Sequence, residues 1–260
     1  RPVSLLMNNA GILTTPVRKT EDGLETIVSV NYVAPYMLTR QLLPLMQPGC
    51  RIVNTVSCTY AIGRIEPDFF EKEGTDAVSG YSNTKLALLL FTQEFAERLQ
   101  DKDITINASD PGIVSTNMIT MQAWFDPLTD ILFRPFIKTP AQGAATAIHL
   151  ALSDEAKDRN GCCYANCKKR NVSERIRHHA QQKQLWDDTE ILPGKKESGS
   201  EPACTFSFIP MKLLFHAYET SVPCRGNFSF MPMKLKIHAD KILHHIQSSF
   251  NNTIVPLHRF

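Results

Sequence analysis

Hydrophobic and polar positions change period several times along the first 190 residues, and each change predicts an element. Residues 3–7 form a short apolar run closed by Asn8-Asn9-Ala10-Gly11, the pattern of a buried strand ending in a turn. Across residues 20–45, Leu24, Ile27, Val28, Met37, Leu38, Leu42 and Leu45 recur at three- and four-residue steps, which predicts a helix stopped by Pro48-Gly49. Residues 51–56 are β-branched and strand-like. A polar loop with Gly63, Pro67, Gly74 and Gly80 leads into a second amphipathic pattern over residues 82–99, with Leu86, Leu89, Leu90, Phe95 and Leu99 on its apolar side. Residues 104–108 read as a strand broken by Asp110-Pro111-Gly112. Thr139-Pro140-Ala141-Gln142 carries two start signals of a helix: an N-cap Thr with Gln three residues on, and Pro at the first helical position. A last strand is expected over residues 161–167 and a closing helix over residues 174–186.

Strands alternating with helices of this length predict an α/β fold with a parallel sheet and crossover helices. The pattern yields three to four strands, fewer than the six or so of an open doubly wound sheet. After residue 190 the character changes. Lys195-Lys196-Glu197-Ser198-Gly199-Ser200 is linker-like, and Phe206-Ser207-Phe208-Ile209-Pro210-Met211-Lys212-Leu213 recurs 22 residues later as Phe228-Ser229-Phe230-Met231-Pro232-Met233-Lys234-Leu235. Two copies fall short of a solenoid, which needs about three. The chain therefore divides into residues 1–190 and a repeat-containing tail, residues 191–260.

Charge sharpens that division. Net charge is +2, but the tail carries 8 Lys+Arg against 4 Asp+Glu, leaving 20 and 22 in the first 190 residues. Neither balance suggests a nucleic-acid partner. No run reaches the ~18 apolar residues of a membrane-spanning helix. The seven Cys lack framework spacing in a chain too large to need staples, so they are expected to be reduced and the protein cytoplasmic. Cys162, Cys163 and Cys167 fit a Cys-rich buried strand better than a metal site, because no second cluster completes four ligands.

The candidate chemistry lies in an ordered set: Asn8-Asn9-Ala10-Gly11, Asn31, Ser57, Tyr81 with Lys85, and Pro111-Gly112 running on to Val114 and Thr116. Asn31 interrupts an apolar helix pattern, where Asn is an indifferent former. Ser57 follows a strand, at the carboxyl edge where open α/β sheets bind ligands. Tyr81 and Lys85, four apart, share one face of a helix. A phenol near pKa 10 is a poor base at neutral pH, and a fixed ammonium beside it favours the phenolate. Such a Tyr can exchange a proton with an alcohol or carbonyl.

This set resembles the short-chain dehydrogenase/reductase family, over roughly residues 3–190, and its retinol-dehydrogenase-like branch. That branch also shows a comparable run from Asp22 to Thr39 and an insertion such as residues 66–79. The resemblance implies a partial Rossmann-like doubly wound parallel sheet. It also implies NAD or NADP as cofactor, a small-molecule alcohol or carbonyl substrate, and a possible homo-oligomer. Asn31, Ser57, Tyr81 and Lys85 would be catalytic, Asn31 through a water leading toward Lys85. Asn8, Asn9, Ala10, Gly11, Tyr81, Lys85, Pro111, Gly112, Val114 and Thr116 would line the cofactor. The catalytic slot admits two placements, Ser57 or Cys58, and Ser57 is preferred because a hydroxyl is the better donor to a carbonyl oxygen. Met118, Met121, Trp124, Phe125, Leu132 and Phe133 would form an apolar lid suited to a hydrophobic substrate. The family's Gly-rich turn after the first strand is missing, so an inactive fragment or interaction module is the alternative expectation.

Overall fold

The computed structural model describes residues 2–14, 18–20, 23–71, 76–114 and 138–192. These all fall in one compact unit, Arg1–Leu214. The predicted lid, Thr116 and the repeat-containing tail beyond Leu192 lie outside the described residues.

The sheet has five strands in sequential order: β1 (Val3–Asn8), β2 (Met46–Thr55), β3 (Ile104–Asp110), β4 (Cys163–Ala165) and β5 (Lys168–Lys169). The first four are parallel and β5 returns antiparallel to β4. The expected single strand over residues 161–167 is thus a hairpin. Asn166 and Cys167 take the left-handed conformation, with φ of 53° and 59°, and turn the chain back. Strand β2 also begins earlier than the pattern predicted. It runs through Pro48-Gly49, where Gly49 has φ +80°, and its register with β1 shifts between Val3 and Leu5. That irregularity lets a Pro-Gly pair sit inside a strand.

Helix α1 spans residues 26–42 as three joined pieces: Thr26–Val28, a π-turn over Ser29–Val33, and Ala34–Leu42. It starts six residues later than the periodicity implied, because the Glu25 carboxylate accepts from the N–H groups of Ile27 and Val28 and caps it there. Helix α2 (Ala77–Arg98) starts five residues earlier than expected, capped by Asp76, so Gly80 and Tyr81 lie inside it. Helix α3 (Pro140–Leu152) opens with the predicted capping box between Thr139 and Gln142. The expected closing helix is two: α4 (Glu174–Arg177) and α5 (Gln182–Ile191), separated at His178–Gln181.

Helices cover both faces of the sheet. Ile52, Ile106 and Ala108 pack with Tyr32, Tyr36, Leu86, Leu89 and Leu90 of α1 and α2. Val53 points the other way and packs with Ala147 and Leu150 of α3. Trp186 of α5 stacks against Phe91 and Phe95 and lies under the Arg98 guanidinium at 4.2 Å. Each fully buried leucine on α2 contributes about 1.5–3 kcal/mol. The helix that carries Tyr81 and Lys85 is therefore a rigid mount. Among the described residues no helix is long and apolar enough to cross a membrane.

Candidate functional site

The ends of β1, β2 and β3 and the first turns of α2 bring the predicted residues to one edge of the sheet. Asn8 is buried and spends its amide on Thr39 Oγ1 at 3.0 Å and Asn54 Oδ1 at 2.8 Å. Asn54 in turn donates to Thr92 Oγ1 at 2.9 Å. The Asn8 side-chain amide nitrogen thus ties β1 to β2 and α1, and through Asn54 to α2. Asn9 and Ala10 are exposed, and Asn9 Oδ1 accepts from Thr55 Oγ1 at 3.0 Å. A Cβ built on Gly11 would stand 3.3 Å from Lys85 Nζ and 3.4 Å from Asn31 Oδ1. Gly11, Asn31 and Lys85 therefore converge, and glycine keeps space beside the amine.

Asn31 sits in the π-turn and is wholly buried. Its side chain accepts from Ile12 N at 2.7 Å and donates to Ile12 O at 2.9 Å, fixing the loop after β1. It also donates to Thr84 Oγ1 at 3.3 Å, and Thr84 donates to the Tyr81 carbonyl at 2.7 Å. So Asn31 links that loop to the helix of the Tyr/Lys pair.

Lys85 is 3% exposed. Its Nζ donates to Thr55 O at 2.8 Å and lies 5.4 Å from the centre of the Tyr81 ring. Burial lowers its pKa to about 8. An ammonium has three donors, and the carbonyl of Thr55 takes one. Tyr81 is half-buried, with the Ser57 hydroxyl near its phenol. Burial raises its pKa, opposed by the Ser57 hydroxyl; Cys58 and Asp110 push it further up. The expectation from the sequence was a phenol acidified by Lys85; in the protein alone the Tyr81 pKa stands above its ordinary value, chiefly through burial. Ser57 also caps the 3₁₀ turn Cys58–Ile62. Both candidates for the catalytic slot, Ser57 and Cys58, lie near the phenol.

Pro111 and Gly112 follow β3, with Gly112 at φ +76° and its N–H bonded to Asp110 Oδ1 at 2.9 Å. Val114 pairs with Lys138, so the described ends of the segment at residues 114 and 138 meet at this edge. Sequence reasoning passed over Asp110, Lys138 and Arg170. Lys138 Nζ donates to Pro111 O and Asn166 Oδ1, and Arg170 pairs with Asp110. The one visible signal was a charge ending an otherwise uncharged strand. Among the described residues no cluster of His, Cys, Asp or Glu could hold a metal ion.

Comparison with known proteins places the chain among relatives. The profile of the family described as short chain dehydrogenase matches residues 1–124. Retinol dehydrogenase 14 of Homo sapiens is 37% identical over 198 residues, covering 74% of this chain and 59% of that protein. Retinol dehydrogenase 12 of Mus musculus is 36% identical, covering 72% and 60%. Polyprenol dehydrogenase of Danio rerio is 34% identical, covering 75% and 63%. The chain thus spans about three fifths of the length of these relatives. Among solved structures, an uncharacterized protein from Mycobacterium Paratuberculosis matches with a TM-score of 0.58 and 25% identity, over 74% of this chain and 67% of that one.

Proposed function

We propose, for a chain that belongs to the short-chain dehydrogenase/reductase family and to its retinol-dehydrogenase-like branch, that the protein interconverts an alcohol and a carbonyl with NAD or NADP. The observation that carries this reading is the meeting of Tyr81, Lys85 and Ser57 at the carboxyl edge of the sheet. Tyr81 exchanges a proton with the substrate oxygen, and Ser57 donates to that oxygen as its charge develops. Lys85 holds a positive charge beside the phenol. Its remaining donors suit ribose hydroxyls, and the space at Gly11 lets a ligand reach the amine. A bound dinucleotide supplies or accepts the hydride. The backbone of Asn9, Ala10 and Gly11 would line its adenosine side. Pro111, Gly112 and Val114 would stand at its carboxamide end. Asn31 acts by holding the loop and the Lys85 helix together.

The substrate in this reading is a hydrophobic alcohol or its carbonyl. Support comes from relatives named for retinol and polyprenol, both long apolar alcohols. A non-catalytic role is the second reading, favoured by Leu5 and Met7, which stand 36% and 40% exposed on β1. Thermal shift with NAD(H) and NADP(H), then a screen over apolar alcohols and aldehydes, separates the two. Saturation at about 100 times Kd stabilises a folded site by roughly 2.7 kcal/mol. Tyr81→Phe should keep that stabilisation and lose turnover. Turnover retained in Tyr81→Phe refutes the assignment of the base, and no stabilisation by either dinucleotide favours the second reading.

A further inference from the structure

We propose that Asp110 is a positioning residue for Tyr81, a buried carboxylate that fixes the Pro111-Gly112 turn and, balanced by Arg170, sets the charge around the phenol. The inference rests on Tyr81 as the acid/base group of the proposed reaction. Residues 106, 108 and 110 share one side of β3, and Ile106 and Ala108 pack in the cluster that includes α2. Asp110 therefore projects toward the face that carries Tyr81. The register pairing Thr55 with Ser109 sets Asp110 beside Val56, next to Ser57.

The Asp110 side chain is 1% exposed. One oxygen accepts from Gly112 N at 2.9 Å and the other from Arg170 Nη1 at 2.8 Å. Holding the turn's N–H needs only a neutral amide oxygen, as Asn would offer. A buried carboxylate costs several kcal/mol of desolvation unless it is paired. The charge at this position thus exceeds what the turn requires and has been given its own counter-ion. The other side of the turn is fixed by Lys138, whose Nζ donates to Pro111 O at 2.8 Å.

The groups facing Tyr81 are Lys85 from α2, Cys58 from the 3₁₀ turn and Asp110 from β3. Those facing Asp110 are Arg170 after β5, Cys163 of β4 and Tyr60 of the 3₁₀ turn. Asp110 raises the proton affinity of Tyr81, in the same direction as burial. Arg170, paired with Asp110, offsets that charge.

The test reads Tyr81 directly and needs no turnover. Phenolate absorbance is followed against pH in the purified chain and in Asp110→Asn and Arg170→Gln, each minus its Tyr81→Phe counterpart. Asp110→Asn should move the Tyr81 transition to lower pH, and Arg170→Gln should move it to higher pH. A purely structural clamp predicts loss of melting temperature in both with no opposed movement. Unmoved transitions, or movement in one direction in both, overturn the proposal. If Asp110→Asn does not fold, Arg170→Gln decides alone: an upward shift supports the proposal, and none or a downward one refutes it. Because no cofactor or substrate enters, failure here is distinguishable from failure of the proposed activity.

Discussion

Replacing Gly63 by Ala pits two known effects against each other, and the structure says which wins. Gly63 closes the 3₁₀ turn that Ser57 opens, and its φ of −64° is open to any residue. Backbone entropy alone would make Gly→Ala stabilising there by about 0.4–1 kcal/mol. Space says otherwise. A Cβ at Gly63 would stand 2.5 Å from the Ser82 carbonyl oxygen and 2.8 Å from Leu86 Cβ, both on α2. Ordinary contact begins at 3.4 Å, so the turn and the helix must part by up to 3.4 − 2.5 = 0.9 Å. The first obstacle is backbone of a helix whose residues Leu86, Leu89 and Leu90 are fully buried, so it yields little. Overpacking of this kind costs about 1–3 kcal/mol. The net expectation is a loss of about 1–2 kcal/mol, or a fall in Tm of roughly 2–8 °C at this size. The same separation should draw Ser57, which opens the turn, away from Tyr81 on the helix. A melt followed by circular dichroism measures the first effect. Loss of the Ser57 contribution to the Tyr81 titration measures the second, as a move of the phenolate transition to higher pH. A Gly63→Ala chain as stable as its parent, or more so, refutes the close approach of turn and helix.

Two further perturbations follow from the same interior. Burial lowers Lys85 from its ordinary 10.5 to about 8. Between those values the unfolded chain binds a proton that the folded chain has released, so this group's contribution to stability grows as pH rises from about 8 to 10.5. The unfolding free energy of the chain minus that of Lys85→Met should climb across that window by on the order of 3 kcal/mol, and a flat difference in urea titrations refutes it. Asn54→Ala removes the acceptor of Asn8 and the donor to Thr92 in a fully buried network. It should cost about 2 kcal/mol in denaturant unfolding; a cost below about 0.5 kcal/mol would mean that the network relaxes freely.

Much of the fold was legible because its core follows simple periods. The apolar runs of β1, β2 and β3 and the leucines of α2 have no other sensible home. The Thr139 capping box was readable because both partners are local. What escaped depends on distant contacts or on conformations that pattern does not encode. The β4–β5 hairpin turns on two non-glycine residues at positive φ, where propensity predicts an uninterrupted strand. The start of α2 was read five residues late, at Ser82, because Asp76, the true cap, lies behind Gly80 in a stretch that looks like loop. At the candidate site, Tyr81, Lys85, Ser57 and Asn31 were legible as an ordered set, but Asp110, Lys138 and Arg170 were not. Their meeting joins residues 28 and 60 positions apart in sequence.

The residues that break local rules are the ones that gather at this edge. Asn31 costs a helix its regular turn, yet the π-turn faces both polar atoms of its side chain to Ile12, as a neighbouring strand would. Lys85 places an ammonium where a leucine would pack, and Asp110 ends an otherwise uncharged strand in a buried carboxylate. Each is individually unfavourable, and each is satisfied by another member of the group or by backbone beside it. A stability optimum would have used apolar residues at these points. Such mismatches persist where geometry and charge serve something other than folding. Their gathering around one phenol is the physical ground on which the proposed reaction places its chemistry at Tyr81.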